Sequence, residues 1–150
     1  MRLGRAHEQD GADGEAVNTY EKILANNPAY APAARRLALL YYRRDDAKAQ
    51  ELATRARLAY PEDDDVTKAL GVLNYRQGLY SQSAELLKEA GDKRKDDAEL
   101  QYYLGASYQQ LKQWKECAEA LRRALRTGLP PALADEAELA LATCSEDSHL

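Results

Sequence analysis

The sequence predicts an all-α fold: an α-solenoid of four tandem helix-turn-helix repeats followed by a C-terminal capping helix. Three observations predict it. A Leu-small pair recurs at Leu3-Gly4, Leu37-Ala38, Leu70-Gly71 and Leu104-Gly105, in steps of 34, 33 and 34 residues. Within each period apolar residues return every three or four positions, the beat of amphipathic helices. No stretch alternates with period two for long enough to make a strand.

Three further columns keep the same register: Ala16, Ala49, Ser83 and Cys117; Tyr20, Ala53, Leu87 and Leu121; Ile23, Ala56, Ala90 and Ala124. The one-residue deletion falls in the same place in all four columns, as a true repeat requires. In the last full repeat the first helix carries Leu100, Leu104, Tyr108 and Leu111, and the second Trp114, Cys117, Leu121 and Ala124. Breaks within the pairs fall at Gly11 and Gly14, at Arg44-Asp45-Asp46 and at Gln77-Gly78. Breaks between repeats fall at Asn27-Pro28, Pro61 to Asp64, Lys95 to Asp97 and Pro130-Pro131. Asp caps a helix start, Pro suits its first turn and Gly stops a helix. Gly in mid-helix costs about 1 kcal/mol against Ala, so Gly71 and Gly105 need a packing reason. They are expected to face Ser83 and Cys117, small against small, so that the paired helices approach closely.

The organisation that follows is one domain over 1–144, with repeats at about 1–30, 31–63, 64–97 and 98–130, a capping helix at 131–144 and a flexible tail at 145–150. The capping helix is read from the stripe Leu133, Ala137, Ala140, Leu141 and Cys144, with Asp135, Glu136 and Glu138 on the outer side. A repeat stack needs such a polar-faced end. The first helix is expected to start almost at once and to lack about a turn, so that either the protein starts abruptly or this is a segment of a longer array.

With 150 residues, 25 acidic and 21 basic, the net charge is −4. That balance argues against a duplex-DNA binder, whose domain is normally strongly basic. Charged residues are 31% and apolar ones 45%, enough to fold. Phe is absent and Tyr occurs ten times, so Tyr supplies most of the aromatic packing. No apolar run reaches the roughly 18–20 residues of a membrane span, and the first residues carry no signal-peptide core. The compartment expected is the cytoplasm.

Motifs for catalysis or cofactors are missing: no His-Glu-x-x-His, no Cys-x-x-Cys, no phosphate loop, no Gly-x-Gly-x-x-Gly and no Gly-x-Ser-x-Gly. No metal, cofactor or catalytic residue is expected. The two cysteines make no disulfide framework. Cys117 sits in the small-residue column and reads as a buried packing residue; Cys144, near an end, reads as the more reactive thiol. Asp10 to Glu15 reads as a capped turn rather than a calcium loop. Glu62 to Asp65 reads as a solvated loop that caps the next helix. Ser148-His149-Leu150 reads as an unstructured tail rather than a recognised C-terminus.

Leu-Gly-x-x-Tyr, then Ala-x-x-x-aromatic, then Ala, then Pro, at period 34, resembles the tetratricopeptide repeat (TPR). Leu104-Gly105-x-x-Tyr108 with Trp114, Cys117, Leu121 and Ala124 carries the likeness best, and Asn27-Pro28 and Tyr60-Pro61 resemble the repeat-ending proline. Ala53, Asn74, Lys95 and Leu129 depart from the pattern. The resemblance implies a right-handed superhelix whose first helices line a concave groove. Carried over position by position, that groove holds Arg35, Lys68 and Tyr102; Leu39 and Val72; Tyr42, Tyr75 and Gln109; and Arg43 and Arg76. The family's two-carboxylate clamp needs Asn where this chain has Leu39 and Val72, so it is not expected.

The function expected is a non-catalytic protein–protein interaction scaffold. It binds a peptide or protein segment, acidic with apolar anchors, against those Arg, Lys and Tyr side chains. The alternatives are a single-stranded RNA-binding helical repeat and a self-associating structural segment of a longer repeat protein. Nucleic acid is not the expected partner, and the chain is expected to be a monomer or a weak homo-oligomer through its open N-terminal end.

Overall fold

The computed structural model describes residues 13–43 and 46–147. Leu3-Gly4, the Asp10–Ala12 part of the turn, the Arg44-Asp45 break and Ser148-His149-Leu150 lie outside the described residues. Eight helices are described: α1 Asp13–Asn26, α2 Ala31–Tyr41, α3 Asp46–Ala59, α4 Asp64–Arg76, α5 Tyr80–Lys93, α6 Ala98–Gln110, α7 Trp114–Thr127 and α8 Pro131–Asp147. No strand occurs among the described residues. Thus α2–α3, α4–α5 and α6–α7 are the second, third and fourth helical pairs, and α8 closes the chain.

Chemistry in the breaks sets the helix ends. The Asp63 side chain accepts the Val66 N–H at 3.2 Å and that of Asp97 accepts the Leu100 N–H at 3.1 Å, each satisfying a donor that the first turn leaves open. The α4–α5 and α6–α7 turns are built alike, one repeat apart. Leu79 N–H bonds to Asn74 C=O and Gln113 N–H to Tyr108 C=O, both at 2.9 Å. That closure needs one residue of positive φ, and Gly78 (φ 79°) and Lys112 (φ 60°) supply it. Glycine adopts this conformation freely; Lys112 does so against its Cβ.

Contacts divide the chain into two compact units, Met1–Leu73 and Asn74–Leu150. In the first unit Ala16 and Tyr20, Ala34 and Ala38, Ala49 and Ala53, and Val66 and Ala69 are buried. Short side chains dominate this set, in which Tyr20 is the one large member. In the second unit Leu87, Leu100, Cys117 and Leu121 are fully buried. Ser107 Oγ donates to the Tyr103 carbonyl at 2.8 Å and lies 2.9 Å from Ser83 Oγ, which satisfies both buried hydroxyls.

Gly105 has the predicted packing role with a different principal neighbour. A Cβ there would lie 2.7 Å from Leu121 Cγ and 3.4 Å from the Cys117 carbonyl oxygen. The glycine therefore makes room chiefly for a leucine side chain, and its contact with Cys117 is to the backbone.

The cysteines correct the sequence reading. Cys117 and Cys144 form a disulfide, with Cα atoms 6.1 Å apart, and both are fully buried. The cause is the stripe itself: the apolar face of α8 packs on α7, and its last member lands on the small-residue column. Cys144 is therefore a crosslinked core residue and not an accessible thiol. The helix also continues past Cys144 to Asp147, so Ser145 to Asp147 are helical rather than tail. The bond anchors this last turn, and Arg122 reaches Ser145 Oγ at 3.4 Å.

Candidate functional site

In the first unit the expected groove residues come from α2, the turn after it, and α4. Arg35 projects from α2 to the start of α4. Its guanidinium donates to both Asp63 carboxylate oxygens and, at 3.2 Å, to Asp65. The Asp63 hydrogen bond, offset in part by burial, keeps Arg35 more firmly protonated than usual. Burial alone would raise the Asp63 carboxyl, but Arg35 and the Val66 N–H outweigh it and hold it below the ordinary carboxylate range. The acidic run is thus more than a solvated cap: two of its members bind Arg35.

Val72 is fully buried and Tyr42 nearly so, while Leu39 and Lys68 are half-buried. Arg43 is exposed, with its guanidinium carbon 4.9 Å from the Tyr42 ring centre, a cation–π stack that pre-orients the charge. Beside these, the Tyr41 hydroxyl donates to Glu21, and Lys48 lies 3.7 Å from the same carboxylate and 5.5 Å from the Tyr41 ring.

In the second unit Tyr75 is half-buried within an aromatic cluster. Its ring centre lies 5.6 Å from that of Tyr80 and 5.4 Å from that of Tyr103, and Tyr103 packs edge-on against Tyr102 at 5.1 Å. Tyr102 is almost fully buried, and its hydroxyl donates to Glu136 of α8 at 2.6 Å. Burial, and then the Glu136 carboxylate, raise the Tyr102 phenol well above its ordinary value. Arg76 is exposed and Gln109 half-buried.

The ten expected residues therefore divide by what they touch. Val72, Tyr42 and Tyr102 are buried; Arg35 is held by an ion pair with Asp63 and Asp65; Arg43 and Arg76 are exposed. The Asp63 and Asp65 partners of Arg35 are separated from it by about a repeat, a spacing that local motifs do not reveal. No group of three or more metal-ligating side chains is found among the described residues, and no described helix is long and apolar enough to cross a membrane.

Residues 99–127 match the family model of the tetratricopeptide repeat. No curated protein matches the sequence. Among solved structures, MamA AMB-1 in its P212121 form has a TM-score of 0.78 at 19% identity, covering 99% of this chain and 86% of that one. MamA D159K mutant 2 gives 0.79 at 19%, covering 99% and 80%. MamA MSR-1 gives 0.68 at 23%, covering 83% and 72%. The class these findings define is the all-helical repeat fold. More particularly, residues 99–127 are a tetratricopeptide repeat, and the described helices have the TPR-type fold that MamA shares.

Proposed function

We propose that the chain is a non-catalytic scaffold that holds an acidic protein segment with apolar anchors along its first helices. One observation carries the reading. A Tyr-Arg pair recurs at the same repeat position, Tyr42-Arg43 and Tyr75-Arg76, each time with the tyrosine packed and the arginine exposed. Arg43 lies over the Tyr42 ring, and an arginine held on a packed aromatic is well suited to grip carboxylates, since less freedom is lost on binding.

In this reading Arg43, Arg76 and Lys68 supply charge, Leu39, Tyr75 and Gln109 supply contact area, and Val72, Tyr42 and Tyr102 support the surface from below. Arg35 orders the start of α4 through Asp63 and Asp65 and contributes little to a ligand. The test is a display library of acidic peptides with interspersed Leu or Ile, panned on the full chain and on the Arg43→Glu/Arg76→Glu variant. Selected peptides should bind the variant at least tenfold more weakly with circular dichroism unchanged, and should weaken with salt, because screening sets in at about 8 Å at physiological ionic strength. Equal binding by the variant, or a mobility shift with single-stranded RNA in place of peptide binding, refutes the reading.

A further inference from the structure

Within the second unit, α5, α6 and α7 border a cleft of about 330 Å³ that none of the Tyr-Arg pairs lines. Gln101 lines it. That side chain is 2% exposed, and its Oε1 has no hydrogen-bond partner among the described residues. Buried acceptors are almost always paired, and one left open is destabilising unless something fills the need.

The surroundings keep the amide there. Gly91, on α5, also lines the cleft, and a Cβ at that position would come within 3.1 Å of Leu100 Cδ2 and 3.4 Å of Gln101 Nε2. A helical glycine, unfavourable by propensity, thus leaves space for the Gln101 side chain. Tyr108 forms another wall. Burial, then the carboxylates of Glu116 and Asp92, raise its phenol above the ordinary value, and Arg123 acts in the opposite sense. The charged lining of the cleft is balanced, with Asp92, Glu116 and Glu119 against Lys88, Lys95 and Arg123.

An unmet acceptor, two carboxylates and an aromatic ring ask for one kind of group: a planar, weakly hydrated cation with several N–H donors. Guanidinium matches carboxylates two bonds at a time and lies well against a tyrosine. Lys88, Lys95 and Arg123 also line the cleft. They disfavour a bare cation and suit a segment in which the cationic residue is followed by acidic ones.

We propose that this cleft binds the side chain of an arginine presented by a protein segment, with the Gln101 amide oxygen and the Asp92 and Glu116 carboxylates accepting its N–H groups. The site is separate from the peptide surface proposed above and stands whether or not that surface binds.

The experiment follows the Gln101 side-chain amide by nitrogen-15 NMR in the full chain. The probes are an acetylated, amidated Gly-Arg-Glu-Gly peptide, the same peptide with citrulline for arginine, and free arginine. Expected are saturable shifts at Gln101 and Tyr108 with the arginine peptide and none with citrulline, which keeps the shape and removes the charge. Asp92→Asn/Glu116→Gln should weaken binding about tenfold with melting unchanged; both side chains are exposed. The proposal falls if the Gln101 amide does not respond to the arginine peptide at millimolar concentration, if citrulline shifts it equally, or if the folded double variant binds as well. If free arginine binds as tightly as the peptide, the site serves a small molecule and the assignment to a protein segment is overturned.

Discussion

The Tyr102 hydroxyl and the Glu136 carboxylate meet at 2.6 Å, joining the first helix of the last repeat to the closing helix. A hydrogen bond to a charged acceptor contributes about 1.5–3 kcal/mol when shielded. Glu136 is exposed, so Tyr102→Phe should cost nearer 1 kcal/mol, read from urea melts.

The same contact makes stability fall in alkali. The folded pKa of Tyr102 lies above its unfolded value near 10, and burial raises Tyr75 and Tyr108 as well. A group whose folded pKa is raised contributes fully below the unfolded pKa and loses that contribution as pH rises through the folded one. Melting temperature should therefore hold to about pH 9.5 and decline above pH 10. An absorbance titration should show these tyrosines ionising later than in the unfolded chain. Simultaneous ionisation of all ten near pH 10 would contradict the burial.

Reduction should loosen the end of the chain. Cys117 and Cys144 are 27 residues apart, and closing a loop of that size stabilises by about 3.5 kcal/mol in the chain-entropy model. A reductant should lower the urea midpoint accordingly. Without reductant, neither cysteine should take up a thiol reagent even after unfolding in urea; labelling under those conditions would show that the bond is absent.

Overpacking should be felt at Gly105. With Leu121 Cγ 2.7 Å from where a Cβ would stand, Gly105→Leu should destabilise by about 2 kcal/mol or more, and even Gly105→Ala should forfeit its propensity gain. A melting temperature equal to the parent's would place the repeat register elsewhere.

The two positive-φ turns make a matched pair. Lys112→Gly should stabilise by about 0.5–1 kcal/mol, since a residue with a Cβ occupies left-handed backbone there. Gly78→Ala should lose a similar amount. Thermal denaturation of both variants reads the two signs together.

The repeat was legible because it rests on periodic small and large residues: Ser83 and Cys117, or Leu87 and Leu121, reveal their burial by spacing alone. The pairing of Cys117 with Cys144 was not, because a count of two cysteines carries no distance, and only the seating of α8 on α7 brings them together. Arg35 was readable as a charge on a first helix, whereas its commitment to Asp63 and Asp65 depends on how α4 begins beside α2. The groove reading named Tyr102 by its position and could not reveal that Glu136 already takes its hydroxyl. Gln101 carried no signal at all, since a polar residue within a helix reads as solvent-facing until its neighbours are in place.

The Cys117–Cys144 bond also governs how the chain answers a mechanical pull. Tension applied at its two ends passes across the sulfur bridge and bypasses the residues between, so most of α7 and most of α8 lie outside the path of force. An extended residue adds at most about 3.6 Å of length. Stretching the oxidised chain to its limit should therefore yield roughly 90 Å less extension than stretching the reduced one, a difference a single-molecule trace would record as a missing segment of contour.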